Sequence, residues 1–431
     1  DKMGDVTLAT DPEGRTTATQ YDARRHATNV TDGVGNVTQS GYDLAGNLVE
    51  AKAPSGASTQ YAYDQANRLA SITQPLGSAT RTYDPAGNLV SQKDLNGNST
   101  SYAYNERNQR LKKTLPGGAV KVNGYDNAGG LTAHTDANGN SFTHTLDTRG
   151  QRTQTTAVAS SGNSLGSISK STFTYDANGN LTSTAQTDVQ GVRTESTTYD
   201  AFNRAVKVSD AWGNSLTHSY DPQGNRVGTT ASPGGSVTTI QYDALNRSIS
   251  QSGAGGLSRI SYDKSSLVTQ ILRPDGSSTS TSYDRAGRVA TESSSTGSIA
   301  GAGNTIQSTT YTYDVNSNRV GSNRVESLSA ANRSANLSAR LPGGANNDSY
   351  SRTRAETWKY DAQDRLVGQN TPERITSWEL DAGGRRVQQT VVATVGATGP
   401  PSGANALEAS AASPLGTQVY SYNERDQLIQ T

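Results

Sequence analysis

The 431-residue sequence contains no cysteine, which excludes a disulfide scaffold, thiolate metal ligation and a cysteine nucleophile. Four histidines leave little room for a zinc enzyme. Charge of either sign is not in excess: 38 Lys and Arg balance 38 Asp and Glu. The basic surplus of a nucleic-acid binder and the acidic surplus of a solvating tail are both missing. There is no run of 18 apolar residues and no N-terminal signal pattern, so neither a membrane span nor a secretion signal is read from this stretch. The chain opens at Asp1 in mid-pattern, and a signal is expected on an upstream segment. Apolar residues are also scarce, at 32% with a mean hydropathy of −0.69, too few to fill one large solid core. Balanced charge nevertheless argues against disorder. Phenylalanine occurs three times and tyrosine 20 times, so something selects tyrosine.

An internal repeat makes that selection. Tyr-Asp, Tyr-Asn or Leu-Asp recurs 17 times, and 15 of the 20 tyrosines stand at this anchor. They are Tyr21, Tyr42, Tyr63, Tyr83, Tyr104, Tyr125, Tyr175, Tyr199, Tyr220, Tyr242, Tyr262, Tyr283, Tyr313, Tyr360 and Tyr422; Leu146 and Leu380 hold the other two places. Spacings are 20–21 residues through Leu146 and stretch to 30, 47 and 42 near the C-terminus. The stretches mark insertions within 293–306, 320–355 and 391–417, rich in Ser, Gly, Ala and Asn, which read as long loops or degenerate repeats. Residues 1–431 are therefore expected to form a single array, regular over 21–292 and degenerate over 293–431, with no separate catalytic domain.

Each anchor opens a turn. In YDPAGNLV (83–90), Asp84 supplies an Asx side chain, Pro85 presets φ near −65°, and Gly87 permits positive φ. A type I turn followed by an αL residue is a favoured hairpin connection with a G1 bulge. The αL place, three residues after the Asp, holds Gly46, Gly87, Gly129, Gly150, Gly179, Gly224, Gly287 and Gly384. Elsewhere it holds Asn67, Asn108, Asn203, Asn246, Asp364 or Asp426. Arg25, Ser266 and Ser317 break the pattern, so those turns are expected to differ.

The flanks read as strands. An apolar or aromatic residue often lies two before the anchor (Tyr61, Tyr102, Phe173, Ile240, Trp358), on the same strand face. Leu, Val or Ile follows five or six residues after the Asp, as in Leu48, Leu89 and Leu366. That one-residue wobble flips the face unless a bulge absorbs it. A second turn signal recurs in mid-repeat, at 54–56, 75–77, 96–97, 116–118 and 138–139. Two short strands and two tight turns per repeat predict an all-β fold, a continuous antiparallel sheet without helices. A parallel β-helix and a propeller built from paired repeats are the alternatives; a sheet curling into a spiral suits the low apolar content best.

Other chemistry is thinly supported. The recurrent Asp and Asn residues are too sparse for the six to eight oxygens of a calcium site, and turn capping accounts for each. His134 and His144 lack a surrounding ligand pattern and read as strand residues. Arg68, Arg204, Arg247, Arg288 and Arg365 recur after the turn, where cross-strand pairing with acidic neighbours explains them better than phosphate or sugar binding. Gly253–Gly256 lacks the Lys-Ser/Thr of a phosphate loop. No cofactor, metal or catalytic set is predicted. The anchor tyrosines are expected to be mostly buried.

YDLAGNLVE (42–50), YDQANRLASI (63–72), YDPAGNLVS (83–91), YDANGNLTS (175–183) and YDALNRSIS (242–250) resemble the YD repeats of the RHS family, from Tyr21 essentially to Thr431. That family includes bacterial polymorphic toxins, components of insecticidal toxin complexes, wall-associated proteins and the teneurin adhesion receptors. The resemblance implies a spiralling β-sheet that forms a hollow shell, in the bacterial toxins around a variable C-terminal effector. The Asp-Pro-x-Gly-Leu ending of such shells is missing: Asp11-Pro12, Asp84-Pro85 and Asp221-Pro222 all belong to repeat turns. The chain therefore reads as an internal, non-catalytic segment of a larger secreted or cell-surface protein. Its expected partners are its own C-terminal effector or cargo, with delivery-machine components, and no nucleic acid or membrane span. The alternative is an extracellular adhesion or glycan-recognition module.

Overall fold

The computed structural model describes residues 1–160, 169–295, 305–328, 350–393, 413–422 and 428–430. Among them every regular element is a strand except one 3-10 turn at Pro116–Gly118. Thirty-four strands belong to one antiparallel sheet, and Ser421–Tyr422 pairs separately with Leu428–Gln430. Strands consecutive in sequence pair with one another: Val37–Tyr42 with Leu48–Lys52, and that strand with Ser58–Tyr63. The all-β antiparallel sheet expected from two turns per repeat is the fold.

A bulge at the anchor explains the wobble after the turn. Tyr42 lies opposite Leu48, whereas Gly41 lies opposite Glu50, so Val49 is an extra residue in its strand. The same shift occurs at Tyr63, Tyr104, Tyr125, Tyr199 and Tyr283. Two adjacent apolar residues can thus follow the turn without moving the rest of the strand out of register.

The eight glycines predicted at the αL place all have positive φ, from 77° at Gly287 to 95° at Gly129. Arg25, Ser266 and Ser317 were expected to differ and do not: their φ values are 69°, 67° and 68°. Each turn keeps the same two backbone bonds; Asp22 N–H donates to the His26 carbonyl and Arg25 N–H to the Asp22 carbonyl. Those bonds hold a conformation that costs an L-residue about 1–2 kcal/mol. Asp426 lies outside the described residues.

No hydrophobic side chain is fully buried among the described residues; those that are buried are polar, such as Thr100, Asn140 and His144. Strands pack essentially on their neighbours in sequence. Along Ser58–Tyr63, Tyr61 and Tyr63 are half-buried while Gln60 and Ala62, which alternate with them, are exposed. The expectation of mostly buried anchors is therefore corrected: every anchor tyrosine is half-buried, because neighbouring repeats cover each ring only from the sides. Within the insertion read at 320–355, Arg319–Leu328 pairs with Tyr350–Tyr360 from Gly321 opposite Thr357 to Leu328 opposite Tyr350. Residues 296–304, 329–349 and 394–412, the middles of the three insertions, lie outside the described residues.

The chain forms two compact units. One comprises Asp1–Thr80, Asp94–Gly97 and Ile260–Thr431, the other Arg81–Lys93 and Asn98–Arg259. Both are built from the same hairpins.

Candidate functional site

The residues that recur are those that join one repeat to the next. Thirteen anchor tyrosines reach back across a hairpin and donate the hydroxyl to a backbone carbonyl of the preceding repeat. Tyr42 donates to Ala27 at 3.1 Å, Tyr63 to Leu48 at 3.0 Å, Tyr104 to Leu89 at 3.0 Å and Tyr220 to Ala205 at 2.7 Å. The acceptor is always the residue five after the preceding anchor's Asp or Asn, whatever its side chain; Arg110 serves Tyr125 and Arg386 serves Tyr422. Tether spacing follows the repeat rather than the residue count: Tyr360 reaches Arg319, 41 residues back. Phenylalanine could fill the same space but could not make this bond, which accounts for 20 tyrosines against three phenylalanines. Burial raises the hydroxyl pKa of Tyr104, Tyr283 and Tyr313, keeping these groups neutral donors.

The anchor Asp locks its own turn. Asp43 Oδ1 accepts the N–H of Ala45 and of Asn47, and Oδ2 accepts Asn47 Nδ2 at 2.9 Å. The Asn47 side chain, then its N–H, hold the Asp43 carboxyl below the usual carboxylate range. Where the fourth residue is arginine the bond becomes an ion pair: Arg68 with Asp64, Arg204 with Asp200, Arg247 with Asp243, Arg288 with Asp284 and Arg365 with Asp361, all at 2.7 Å. These arginines were expected to pair across strands. They pair instead within their own turn, because the αL residue folds the fourth side chain back over the carboxylate.

The same fourth residue also touches the next repeat. Asn47 Nδ2 donates to Asn67 Oδ1, Asn88 to Asn108 and Asn225 to Asn246, at 2.8–3.2 Å. Arg204 and Arg288 lie 4.5 Å over the rings of Tyr220 and Tyr313, the following anchors, and His26 stacks 4.7 Å from Tyr42. One turn residue thus closes its hairpin and covers the next tyrosine. Both oxygens of these carboxylates are engaged by protein donors, an arrangement suited to turn locking rather than to ion coordination.

Within the first unit a second kind of joint appears. Mid-repeat turns near the N-terminus meet anchor turns more than 240 residues later. Arg15 pairs with Asp263 at 3.2 Å, Ser265 Oγ donates to Asp11, and Lys264 N–H donates to Glu13. Ser55 N–H donates to Asn316 Oδ1 at 2.9 Å, and Gly383 N–H donates to Asn96 Oδ1 at 2.5 Å. At Gly33 the contact is so close that a Cβ would overlap the Arg285 carbonyl oxygen. Desolvation raises the Asp11 pKa, but four hydrogen bonds, from the Arg15 N–H and side chain, the Ser265 hydroxyl and the Glu13 N–H, outweigh it and lower the value to about 2. Nothing in the local sequence pattern signals this seam.

In the second unit, His134 Nδ1 and His144 Nε2 are 2.9 Å apart, His144 Nδ1 meets Thr155 Oγ1 at 3.0 Å, and His134 stacks on Phe142. Burial, then the charges of Arg152 and His134, push His144 down to about 4. The pair fits two adjacent strand positions, each ring capped by a neighbour. No group of three or more metal-ligating side chains occurs among the described residues.

Comparison with known proteins follows this geometry. Among curated proteins, no sequence matches. The fold is similar to a crystal structure of TcdB2-TccC3-Cdc42, with a TM-score of 0.66 at 14% identity over 96% of this chain and 24% of that one. It is similar to TcdB2-TccC3 without its hypervariable C-terminal region, with 0.64 at 14% identity over 97% and 26%. It is similar also to the Photorhabdus luminescens Tc holotoxin pore, with 0.53 at 14% identity over 95% and 25%. The chain spans about a quarter of the length of these structures. The RHS repeat family matches residues 42–79, 83–120, 175–214 and 262–299, each holding two of the anchors described above. Those four stretches match RHS repeats, and anchor, turn and tether recur between and beyond them.

Proposed function

We propose that this segment is a structural wall: part of an RHS shell that encloses a C-terminal toxin effector of the larger secreted protein and helps deliver it. The observation that carries this reading is the tether. The recurring residues are engaged in joining hairpin to hairpin, and the positions alternating with the tyrosines present polar or small side chains such as Gln60 and Ala62. A polar wall without large apolar patches tolerates an unfolded polypeptide without binding it tightly. The similarity to Tc toxin structures, one of which lacks its hypervariable C-terminal region, supports the same reading.

The wall itself needs no catalysis. The Asp carboxylates are saturated by turn donors and the arginines by those carboxylates, which leaves the repeated polar groups occupied in holding shape. The test compares the 431-residue chain with the complete gene product. The chain alone should be non-toxic and show no hydrolase, nuclease or transferase activity, while the complete product should carry one. Saturable binding of the isolated segment to glycans or cells would instead favour adhesion.

A further inference from the structure

The turn arginines are paired within their own turns, but one run of cations in the second unit is not. Residues 107–125 hold Arg107, Arg110, Lys112, Lys113 and Lys121 and no acidic residue, on a chain whose charges otherwise balance. Lys113 lies directly opposite Lys121, where Arg110–Thr114 pairs with Val120–Tyr125. Like charges placed so destabilise a sheet. Among the described residues none of Arg110, Lys113 and Lys121 forms an ion pair, in contrast to Arg68 and Arg204.

These three cations share the tyrosine face. Lys113 lies opposite Tyr102 and Arg110 opposite Tyr104. The Arg110 guanidinium and the Lys113 ammonium both stand over the Tyr102 ring, 6.0 and 5.8 Å from its centre. The ring holds them near each other and neutralises neither. Lys112, next along the strand, points to the other face. Arg152, opposite Leu146 at an anchor place, continues the patch. Burial first, then the Arg152 charge, lower the His134 pKa; Asp136 opposes this and Lys121 adds to the fall. Asp136, whose carboxyl feels the Lys121 charge, has both oxygens engaged by Asn138 and Asn140 of its own turn.

The patch runs across four strand spacings, about 19 Å, from Arg110–Thr114 to Arg152–Val158. Its charges are spread along a line instead of converging on one point, as a single phosphate requires. Four cations also fall short of the roughly 6–10 phosphate contacts of a nucleic-acid binder. Ser101 and Ala103, which alternate with the tyrosines, lie on the opposite face, the one that the proposed wall turns toward its contents. We infer that Arg110, Lys113, Lys121 and Arg152 form a docking surface for an acidic segment of a separate protein. An extended run of about six residues rich in Asp and Glu spans it. That the partner is a separate protein rests on the containment reading; the charge match does not.

Fluorescence anisotropy of a labelled hexaglutamate peptide at about 50 mM salt, where surface charges are less screened, tests it. The 431-residue protein and the complete gene product should bind the peptide equally, and binding should fade toward about 500 mM salt. The combined Arg110→Gln, Lys113→Gln, Lys121→Gln variant should bind about tenfold more weakly, as three exposed charge contacts of ordinary strength imply. Its circular dichroism should match wild type, since Arg110 and Lys121 are exposed and the substitutions remove a repulsion. Lys112→Gln, on the other face, should bind like wild type. Absence of saturable binding, an equal loss in Lys112→Gln, or tighter binding of a short oligothymidine through the same residues overturns the surface. If the 431-residue protein takes the peptide and the complete product does not, the chain's own tail occupies the patch and the separate partner is overturned. Containment is judged independently, by protease protection of the tail.

Discussion

Replacing Tyr104 by Phe removes one hydroxyl and leaves the ring, so it isolates the tether. The bond lost is the 3.0 Å donation to the Leu89 carbonyl. A net hydrogen bond is worth about 0.5–1.5 kcal/mol, and water can reach this half-buried carbonyl, so a loss of about 1 kcal/mol is expected. That equals roughly a fivefold rise in the local opening constant. Tyr104→Ala loses the ring as well. With about 100 Å² of additional apolar surface no longer covered, at ~25 cal/mol per Å², the total reaches roughly 3.5 kcal/mol. A fully buried aromatic would cost about 3–5 kcal/mol from packing alone. Native-state hydrogen exchange read by mass spectrometry is the assay. Exchange should accelerate over about residues 83–125 and stay unchanged in distant repeats, since opening in an array is regional. Wild-type protection in Tyr104→Phe, or an equal acceleration along the whole chain, would refute the tether.

Other substitutions probe the remaining joints. Gly33→Ala should weaken the first unit by about 1–3 kcal/mol, because its Cβ must displace the Arg285 carbonyl; faster exchange in both 27–42 and 278–295 checks it. Arg204→Ala removes an ion pair to Asp200 and a cover over Tyr220, and should lower protection in the strands flanking both turns, whereas Arg204→Lys keeps only part of it. Acid should act through the turns. Asp carboxyls such as Asp43, Asp64 and Asp84 have folded pKa values below the unfolded one, so their contribution is present above about pH 4 and is lost as pH falls through the lowered values. Urea midpoints measured from pH 7 to pH 2 should fall accordingly. His144 acts in a higher window: its folded pKa of about 4 lies below the unfolded value, so stability declines as pH drops from about 6.5 toward 4, and His144→Gln should flatten that part of the profile.

How much of this was legible in the sequence depends on whether the cause was local. The turn was, where glycine or asparagine marks the αL place, because Asp, αL residue and fourth residue lie within five positions; at Arg25, Ser266 and Ser317 it was misread, since the turn's hydrogen bonds hold positive φ there without a glycine. Strand order was legible too, because two turns per repeat leave antiparallel neighbours as the simplest pairing. The depth of burial was not, since it depends on what lies over the ring. The tether was half-visible: the preference for tyrosine over phenylalanine stood out, but the anchors read as packing residues, and the hydroxyl's acceptor is a backbone carbonyl, which leaves no mark on residue identity. The seam between Asp11 and Ser265 or Asn96 and Gly383 left no mark either, because it joins residues more than 250 positions apart through backbone and small polar groups.

The central claim is that these repeats wall in a polypeptide, and protease protection tests it most directly. The complete gene product is treated with a broad-specificity protease in parallel with its C-terminal tail expressed free. Containment predicts that the tail outlasts the free peptide by orders of magnitude, and that multiple Tyr→Phe substitutions along the anchors shorten its lifetime as the joints loosen. A tail digested as fast as the free peptide, with the repeats themselves intact, would contradict it.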